Sequence, residues 1–303
     1  MGIKGLASFL RKRAPNGFTN LQDLSSLHGL RFAIDVPIFA YKFAYHRKDP
    51  QDTNELVESF LNHAEYLKNQ GIVPIYVFDG VQVDAKLSFE AKRRNISREK
   101  NKKKQVSTIA KLQKERSDLI NMEGFVTSFS TIAKLDEQIE TVQKRVVQLR
   151  KEDYLHLQEA FKQLKIQYCL APGDAERECA KLCLSGQADV VVTDDYDALP
   201  CGAQLVLRNL SSTKKQLEVI NLEVVLTSLN LTYQTFVDFC ILCGSDFTQH
   251  LHKIGPVTAY KAMVTYGCLE KYFELDTNGK KLSSTDNFYQ NFNYNRARQL
   301  FSK

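Results

Sequence analysis

The sequence predicts an α/β protein with a mostly parallel central sheet flanked by helices. LeuArgPheAlaIle (30–34), IleValProIleTyrValPhe (72–78) and ValValVal (190–192) are apolar runs of strand length, as expected of strands buried on both faces. Helical periodicity fills the intervals, and parallel strands need such crossovers. Each run also delivers aspartate at its C-terminal end: Asp35, Asp79, and the group Asp194, Asp195 and Asp197. In open parallel sheets, ligands collect at that rim.

Taken in order, residues 3–13 read as a short amphipathic helix with Ile3, Leu6, Phe9 and Leu10 on one face. Pro37 ends the first strand ahead of an aromatic segment, Phe39, Tyr41, Phe43 and Tyr45. A helix over 55–69 leads through Gly71 into the second strand. Between Asp79 and Asp174 the pattern predicts a long helical insertion rather than another strand. Its segment Lys92–Lys104 holds eight basic residues and one acid. Charge alone leaves a solvated helix, a localisation signal and a phosphate-contacting surface all open. A break at 124–131 precedes renewed periodicity over 135–164, through Ile139, Val142, Val146, Leu149, Leu155 and Leu157. Two helices joined by a bend are expected to arch over the acidic rim. After the third strand, 204–208 and 216–220 read as a peripheral hairpin. A helix over 233–243 runs into Gly244, Ser245 and Asp246, and Gly255-Pro256 suits a turn that opens a helix. The regions expected are 1–92, the basic insertion 93–151, 152–231 completing the same sheet, and 232–303.

The 303 residues, 43% hydrophobic and 25% charged, suit a globular chain able to bury a sizeable core. No run reaches the roughly 18 apolar residues of a membrane span. Lys4, Arg11, Lys12 and Arg13 interrupt any signal-peptide core. Leu6 stands where a myristoylation site needs Ser or Thr. Seven cysteines scattered through apolar segments match no disulfide framework, and an intracellular location, nucleus or cytoplasm, is expected. Zinc on Cys179, Cys183, Cys240 and Cys243 is the weaker reading, since Cys240 and Cys243 lie on an apolar helical face. The net charge of +6 is uneven. Residues 85–151 carry 17 Lys and Arg against 8 Asp and Glu, which leaves the remainder at −3. A basic strip beside an acidic pocket suits a polyanion acted on by metal ions.

Acids carry the chemistry. Asp194, Asp195 and Asp197 follow the third strand, while Asp174 and Glu176 stand at the start of the preceding helix. Either group alone has an ordinary explanation, as a solvated turn or as helix caps. Both groups at adjoining strand ends favour a neutralising multivalent cation, and all-oxygen ligands select Mg²⁺ or Mn²⁺.

Six stretches in order then resemble the flap endonuclease and XPG family of structure-specific 5′ nucleases, most closely its flap endonuclease branch. They are MetGlyIleLysGlyLeu at the start, AlaIleAsp (33–35), ValPheAspGly (77–80), AlaProGlyAspAlaGluArgGluCysAla (171–180), ThrAspAspTyrAsp (193–197) and PheCysIleLeuCysGlySerAspPhe (239–247). IleGlyProValThrAla (254–259) resembles the family's helix-two-turn-helix element. The resemblance implies a PIN-like nuclease fold with a helical arch. It implies that Asp35, Asp79, Asp174, Glu176, Asp195, Asp197 and Asp246 hold two Mg²⁺ ions roughly 4 Å apart, with Mn²⁺ as a substitute. It implies further that Lys86 and Arg93 clamp the scissile phosphate, that Tyr41 stacks on a terminal base, and that Gly2 lines the single-strand exit. Contacts to DNA are expected from Lys92, Arg94, Lys144 and Arg145 of the insertion, and from Gly255, Val257 and Thr258, where the family places a potassium ion.

Departures from the family pattern are informative. Asp174 stands where many relatives have Glu, and Lys253 replaces the first glycine of the turn that forms the potassium site. The insertion is about twenty residues longer than expected, implying an enlarged arch. The sequence shows no sliding-clamp-binding tail, as expected of a viral or divergent member acting as a monomer on branched or flapped DNA. An RNA-cleaving relative and a non-catalytic branch-binding scaffold are the competing readings. The complete acid set disfavours the scaffold.

Overall fold

The computed structural model describes residues 3, 5–47, 49, 52–80, 89–121, 129–145, 149–211, 215–245, 248, 251, 254–274 and 292–301, with 89–102, 121, 129 and 143–145 described by backbone alone. Two compact units are present. One comprises Met1–Ile38, Ala64–Ala91 and Lys165–Lys303, and the other Phe39–His63 and Lys92–Leu164.

The first unit is built on a seven-stranded sheet in the order β1-β7-β6-β5-β2-β3-β4. Its strands are β1 (Phe18–Leu21), β2 (Arg31–Asp35), β3 (Val73–Phe78), β4 (Tyr168–Leu170), β5 (Val190–Val192), β6 (Leu205–Arg208) and β7 (Leu217–Asn221). From β6 to β4 every neighbouring pair is parallel, whereas β6–β7 and β7–β1 are antiparallel. Phe32, Ala33 and Ile34 of β2 and Val190–Val192 of β5 are buried, as the uninterrupted apolar runs require. The structure corrects one expectation here: the insertion does end in a strand. Cys169 pairs with Val77 in parallel, making β4 the sheet's edge. Three half-buried or exposed residues produce no periodic signal, which is why the pattern concealed it.

Helix α1 (Leu6–Arg13) buries Leu6, Phe9 and Leu10, the expected face, and Phe9 packs against Phe239 and Tyr260. Helix α7 (Ala175–Leu184) packs on β2, β3 and β5. Helix α8 (Leu222–Leu229), which the sequence pattern did not single out, is capped by the Asn221 side chain and ends on Asn230 in the left-handed region. Helix α9 (Tyr233–Gly244) is buried from Phe236 to Cys243. Pro256 opens α10 (Pro256–Tyr266) and Gly267 at φ 78° closes it, the asymmetry expected from proline's missing N–H and glycine's freedom at positive φ. Arg298 of α12 (Tyr294–Phe301) binds Asp238 of α9 at 2.5 Å and also Glu270 of α11 (Leu269–Glu274), tying three helices together. Among the described residues no single helix is long and apolar enough to cross a membrane.

In the second unit, Phe39 and Phe43 of α2 (Val36–Tyr45) lie one helical turn apart and pack together with ring centroids 5.9 Å apart. Phe43 meets Phe60 of α3 (Thr53–Asn69), and Phe60 meets Phe161 of α6 (Lys151–Gln163). The every-other-residue aromatics are therefore helical. Phe39 and Phe43 point inward, while Tyr41 and Tyr45 are exposed. His63, half-buried against the Phe39 and Phe43 rings, is held at a pKa of about 4 by desolvation and by Lys42. Arg47 and Asp153 form a buried ion pair at 3.4 Å. The inserted helices are α4 (Phe89–Asn121) and α5 (Phe129–Arg145), linked by Arg116 to Asp136 at 2.5 Å, with Leu135 and Ile139 of α5 buried.

Candidate active site

The parallel register fixes where the acids meet. Asp35 lies opposite Val77, Ile34 opposite Val192 and Phe78 opposite Leu170, so the C-terminal ends of β5, β2, β3 and β4 stand side by side. Asp35 is the last residue of β2, Asp79 follows β3, and Asp174 is the N-cap of α7 with Glu176 in its first turn. Asp195 caps a short 3-10 helix, Tyr196–Ala198, through a 3.3 Å bond from the Asp197 N–H.

Asp35, Asp79, Asp195 and Asp197 are each steered by a donor. The Ala175 N–H donates to Asp79 Oδ1 at 2.8 Å, the free first turn of α7 thereby holding an acid from another strand. Thr193 Oγ1 donates to Asp35 Oδ2 at 3.0 Å and accepts from the Asp195 N–H at 3.2 Å. The Ile3 N–H donates to Asp197 Oδ1 at 2.8 Å. Asp194 is excluded from this group. Its Oδ1 accepts from the Asn209 N–H at 2.8 Å, and its carbonyl accepts from Arg208. Thr193 and the Ile3 N–H escaped the sequence reading. A hydroxyl between a buried strand and two acids was the available signal for the first, whereas a backbone donor leaves none.

The close approach of β3 and β4 depends on Gly80. Its N–H donates to the Gly173 carbonyl at 2.9 Å, and a Cβ there would lie 1.8 Å from the Ala171 carbonyl oxygen. Gly80→Ala is expected to cost about 1–3 kcal/mol, as overpacking does, measured by urea unfolding. An unchanged midpoint would show that the backbone yields freely.

Burial and crowding make these acids reluctant to ionise. Asp35 is pushed up to about 7, first by burial and then by the charges of Asp79 and Asp195, against the opposing pull of Thr193 and the Ile38 N–H. Asp79 is raised by burial and by Asp174, offset by its bond from Ala175. Glu176 is raised well above its ordinary value, chiefly by burial and then by Asp195, Asp197, Asp35 and Asp174. Its Oε1 is shielded from solvent with no hydrogen-bond partner. Among the described residues, no three His, Cys, Asp or Glu side chains are closed up tightly enough to hold an ion as they stand. Cys179, Cys240 and Cys243 are buried in the apolar core and Cys183 packs against it, in keeping with packing as the better account of these cysteines. The acids form a looser ring whose members share one electrostatic strain. An all-oxygen set, with an orphaned Glu176 oxygen and acids raised by one another's charge, fits a hard divalent cation.

Some of the other expected residues have described positions, and the rest lie outside the described residues. Tyr41 is 43% exposed on α2. Gly255 is the N-cap of α10, with Val257 and Thr258 exposed in its first turn. Lys92, Arg93 and Arg94 fall on α4 and Lys144 and Arg145 on α5, where the backbone alone is described. Gly2, Lys86, Asp246 and Lys253 lie outside the described residues.

The family model of the XPG N-terminal domain matches residues 1–100, and that of the XPG I-region matches residues 165–246. Flap endonuclease 1 of Saccharomyces cerevisiae (strain RM11-1a) is 30% identical over 314 residues, spanning 99% of this chain and 75% of that protein. Flap endonuclease 1 of Cryptosporidium muris (strain RN66) is 32% identical over 327 residues, spanning 100% and 62%. In fold, the chain is similar to flap endonuclease-1 from Methanococcus jannaschii, with a TM-score of 0.62 at 21% identity over 94% of this chain and 81% of that one. It is also similar to the catalytic core of Rad2 in complex with DNA substrate, with a TM-score of 0.61 at 24% identity over 97% and 78%. With identity at that level running almost end to end, and both XPG segments falling on the strands whose tips carry the acids, the chain belongs to the XPG family, in its flap endonuclease branch.

Proposed function

We propose that this chain is a divalent-metal-dependent, structure-specific 5′ nuclease that hydrolyses phosphodiesters in flapped, nicked or gapped DNA. One observation carries the reading beyond family membership: acids from four strand ends share a desolvated rim on which Asp35 is held near pH 7 and Glu176 keeps an unpartnered oxygen. Asp35, Asp79, Asp174, Glu176, Asp195, Asp197 and Asp246 would hold two Mg²⁺ ions, for which Mn²⁺ can substitute. Bound there, such ions supply Lewis-acid activation of water and neutralise charge on the leaving oxygen.

The chain's own groups do the positioning. Thr193 aims Asp35, the Ala175 N–H aims Asp79 and the Ile3 N–H holds Asp197 by Oδ1. The thiols beside the rim, Cys179 and Cys201, are pushed up by burial and by the neighbouring acids, so neither offers a thiolate nucleophile. Lys86 and Arg93 are assigned to the scissile phosphate and would stabilise its developing charge. Tyr41 presents an exposed ring on which a terminal base can stack, and Gly2 is assigned to the strand exit. Lys92, Arg94, Lys144 and Arg145 would meet phosphates as the inserted helices arch over the strand. Gly255, Val257 and Thr258 would meet the duplex backbone at the start of α10, beside a potassium site.

The test is a product map with Mg²⁺ on 5′-flap, nicked, gapped, blunt and Holliday-type DNA, with a matched RNA flap alongside. Cutting of the DNA flap near its junction is expected, with little product from blunt duplex. Failure to cut any substrate in Mg²⁺ or Mn²⁺ would sink the assignment, and preference for the RNA flap would redirect it.

A further inference from the structure

The loop that carries Asp195 and Asp197 is gripped from behind by a charged network that uses none of the rim acids. Arg208 at the end of β6 and Glu218 in β7 are directly opposed in the antiparallel register. Glu218 is almost wholly buried, and Arg11 of α1 meets it with both guanidinium nitrogens, Nη1 to Oε1 at 2.5 Å and Nη2 to Oε2 at 2.8 Å. Arg208 Nη1 donates to Glu218 Oε2 at 3.0 Å and to the Tyr196 hydroxyl oxygen at 2.8 Å. That oxygen also accepts from Arg11 Nη2 at 3.3 Å. The Arg208 guanidinium lies 4.2 Å from the Tyr196 ring centroid, and its Nη2 donates to the Asp194 carbonyl at 3.0 Å.

Tyr196 stands between Asp195 and Asp197 in the chain, and Asp194 precedes both. Holding the Asp194 carbonyl and the Tyr196 ring and hydroxyl thus fixes the backbone on each side of Asp195 and immediately before Asp197. The network holds two guanidiniums against one carboxylate, so it sets a surplus positive charge behind a loop of three acids. Planar guanidiniums suit this role because their forked N–H groups can reach a carboxylate, a hydroxyl and a carbonyl at once. Small displacements of such a backbone change how two carboxylates converge, and groups that orient metal ligands from behind typically govern affinity by about 10- to 100-fold.

We propose that Arg208, Glu218 and Arg11, acting through Tyr196, are positioning residues that set the spacing of Asp195 and Asp197 and thereby the affinity of the rim for divalent cations. The inference rests on the metal-dependent reading above. Its test is direct Mn²⁺ binding by titration calorimetry on Tyr196→Phe, Glu218→Gln and Arg208→Ala, alongside cleavage kinetics and thermal melts in EDTA. Tyr196→Phe keeps the ring and loses the oxygen that both guanidiniums reach. It is expected to keep its fold, to weaken Mn²⁺ binding about tenfold and to lower kcat. KM for flap DNA should stay within about twofold, and excess Mn²⁺ should restore much of the rate. A merely structural role would not produce that rescue. Arg208→Ala should weaken binding further, and if it fails to fold the other two variants decide. Mn²⁺ affinity within about twofold of wild type in folded Tyr196→Phe and Glu218→Gln overturns the positioning role alone. Absence of Mn²⁺ binding to the wild-type chain overturns the metal reading itself.

Discussion

Asp195→Asn and Asp79→Asn are each expected to lower flap cleavage at least about a thousandfold in Mg²⁺ while leaving flap binding within about tenfold. Loss of a metal's charge stabilisation is worth several kcal/mol of barrier, and each 1.4 kcal/mol is about a factor of ten. The substitutions preserve shape. Asp79 would keep an oxygen for the Ala175 N–H and Asp195 one for the Asp197 N–H, so the rim should not collapse. Binding should persist because the phosphate contacts are assigned to basic residues elsewhere, whose contribution depends on salt. Cleavage and gel-shift assays on the same 5′-flap check both halves. Substantial activity in both variants would remove the carboxylates from the mechanism.

The second large effect is a stability that depends jointly on pH and Mg²⁺. Asp35 is held near pH 7 against an ordinary 3.8, and Asp79 and Glu176 shift the same way. A raised carboxyl favours folding fully below its unfolded pKa, and this contribution is lost as pH rises through the folded value. The loss amounts to roughly 1.4 kcal/mol per pH unit for one such group between about pH 4 and 7. In EDTA the melting temperature should therefore fall from pH 5 to pH 8. Groups of the opposite kind lie outside this window. Glu270, held at about 2 by Arg298, contributes stability above its ordinary 4.5 and loses it only in strong acid. Millimolar Mg²⁺ should restore the melting temperature at pH 8 far more than at pH 5, because ion and proton compete for the same acids. Asp35→Asn should flatten the EDTA profile. A wild-type profile already flat from pH 5 to 8 would show that these acids titrate normally.

Asp35, Asp79 and Asp195 were legible because they follow from two local facts, an apolar run and the acid after it, whereas the full set of seven came from the family resemblance. The parallel register then brought those ends together without further information. What escaped depended on pairings distant in sequence. By local pattern Asp194 matches Asp195, and the physical reason for leaving it out of the ligand set is the Asn209 N–H, fifteen residues on, which takes its carboxylate. Glu218 opposite Arg208 becomes meaningful only once the β6–β7 register is known. Helix α8 was hidden because LeuGluValValLeuThrSerLeu mixes β-branched and polar residues, and its boundaries come from caps at Asn221 and Asn230 rather than from propensity. Strand β4 formed where Gly80 permits the backbones of 80 and 173 to touch.

That same junction bears on how long the insertion can be. The chain departs from β3 after Phe78 and rejoins the sheet at Tyr168, and both anchor points are fastened by main-chain bonds, Tyr76 to Gln167 at 3.0 Å and Gly80 to Gly173 at 2.9 Å. Doubling the length of a detour between fixed anchors raises its closure entropy by only about 0.6 kcal/mol. The sheet's stability therefore sets little limit on the length of this excursion, and an insertion of this size can be carried without loosening the rim that the strand ends form.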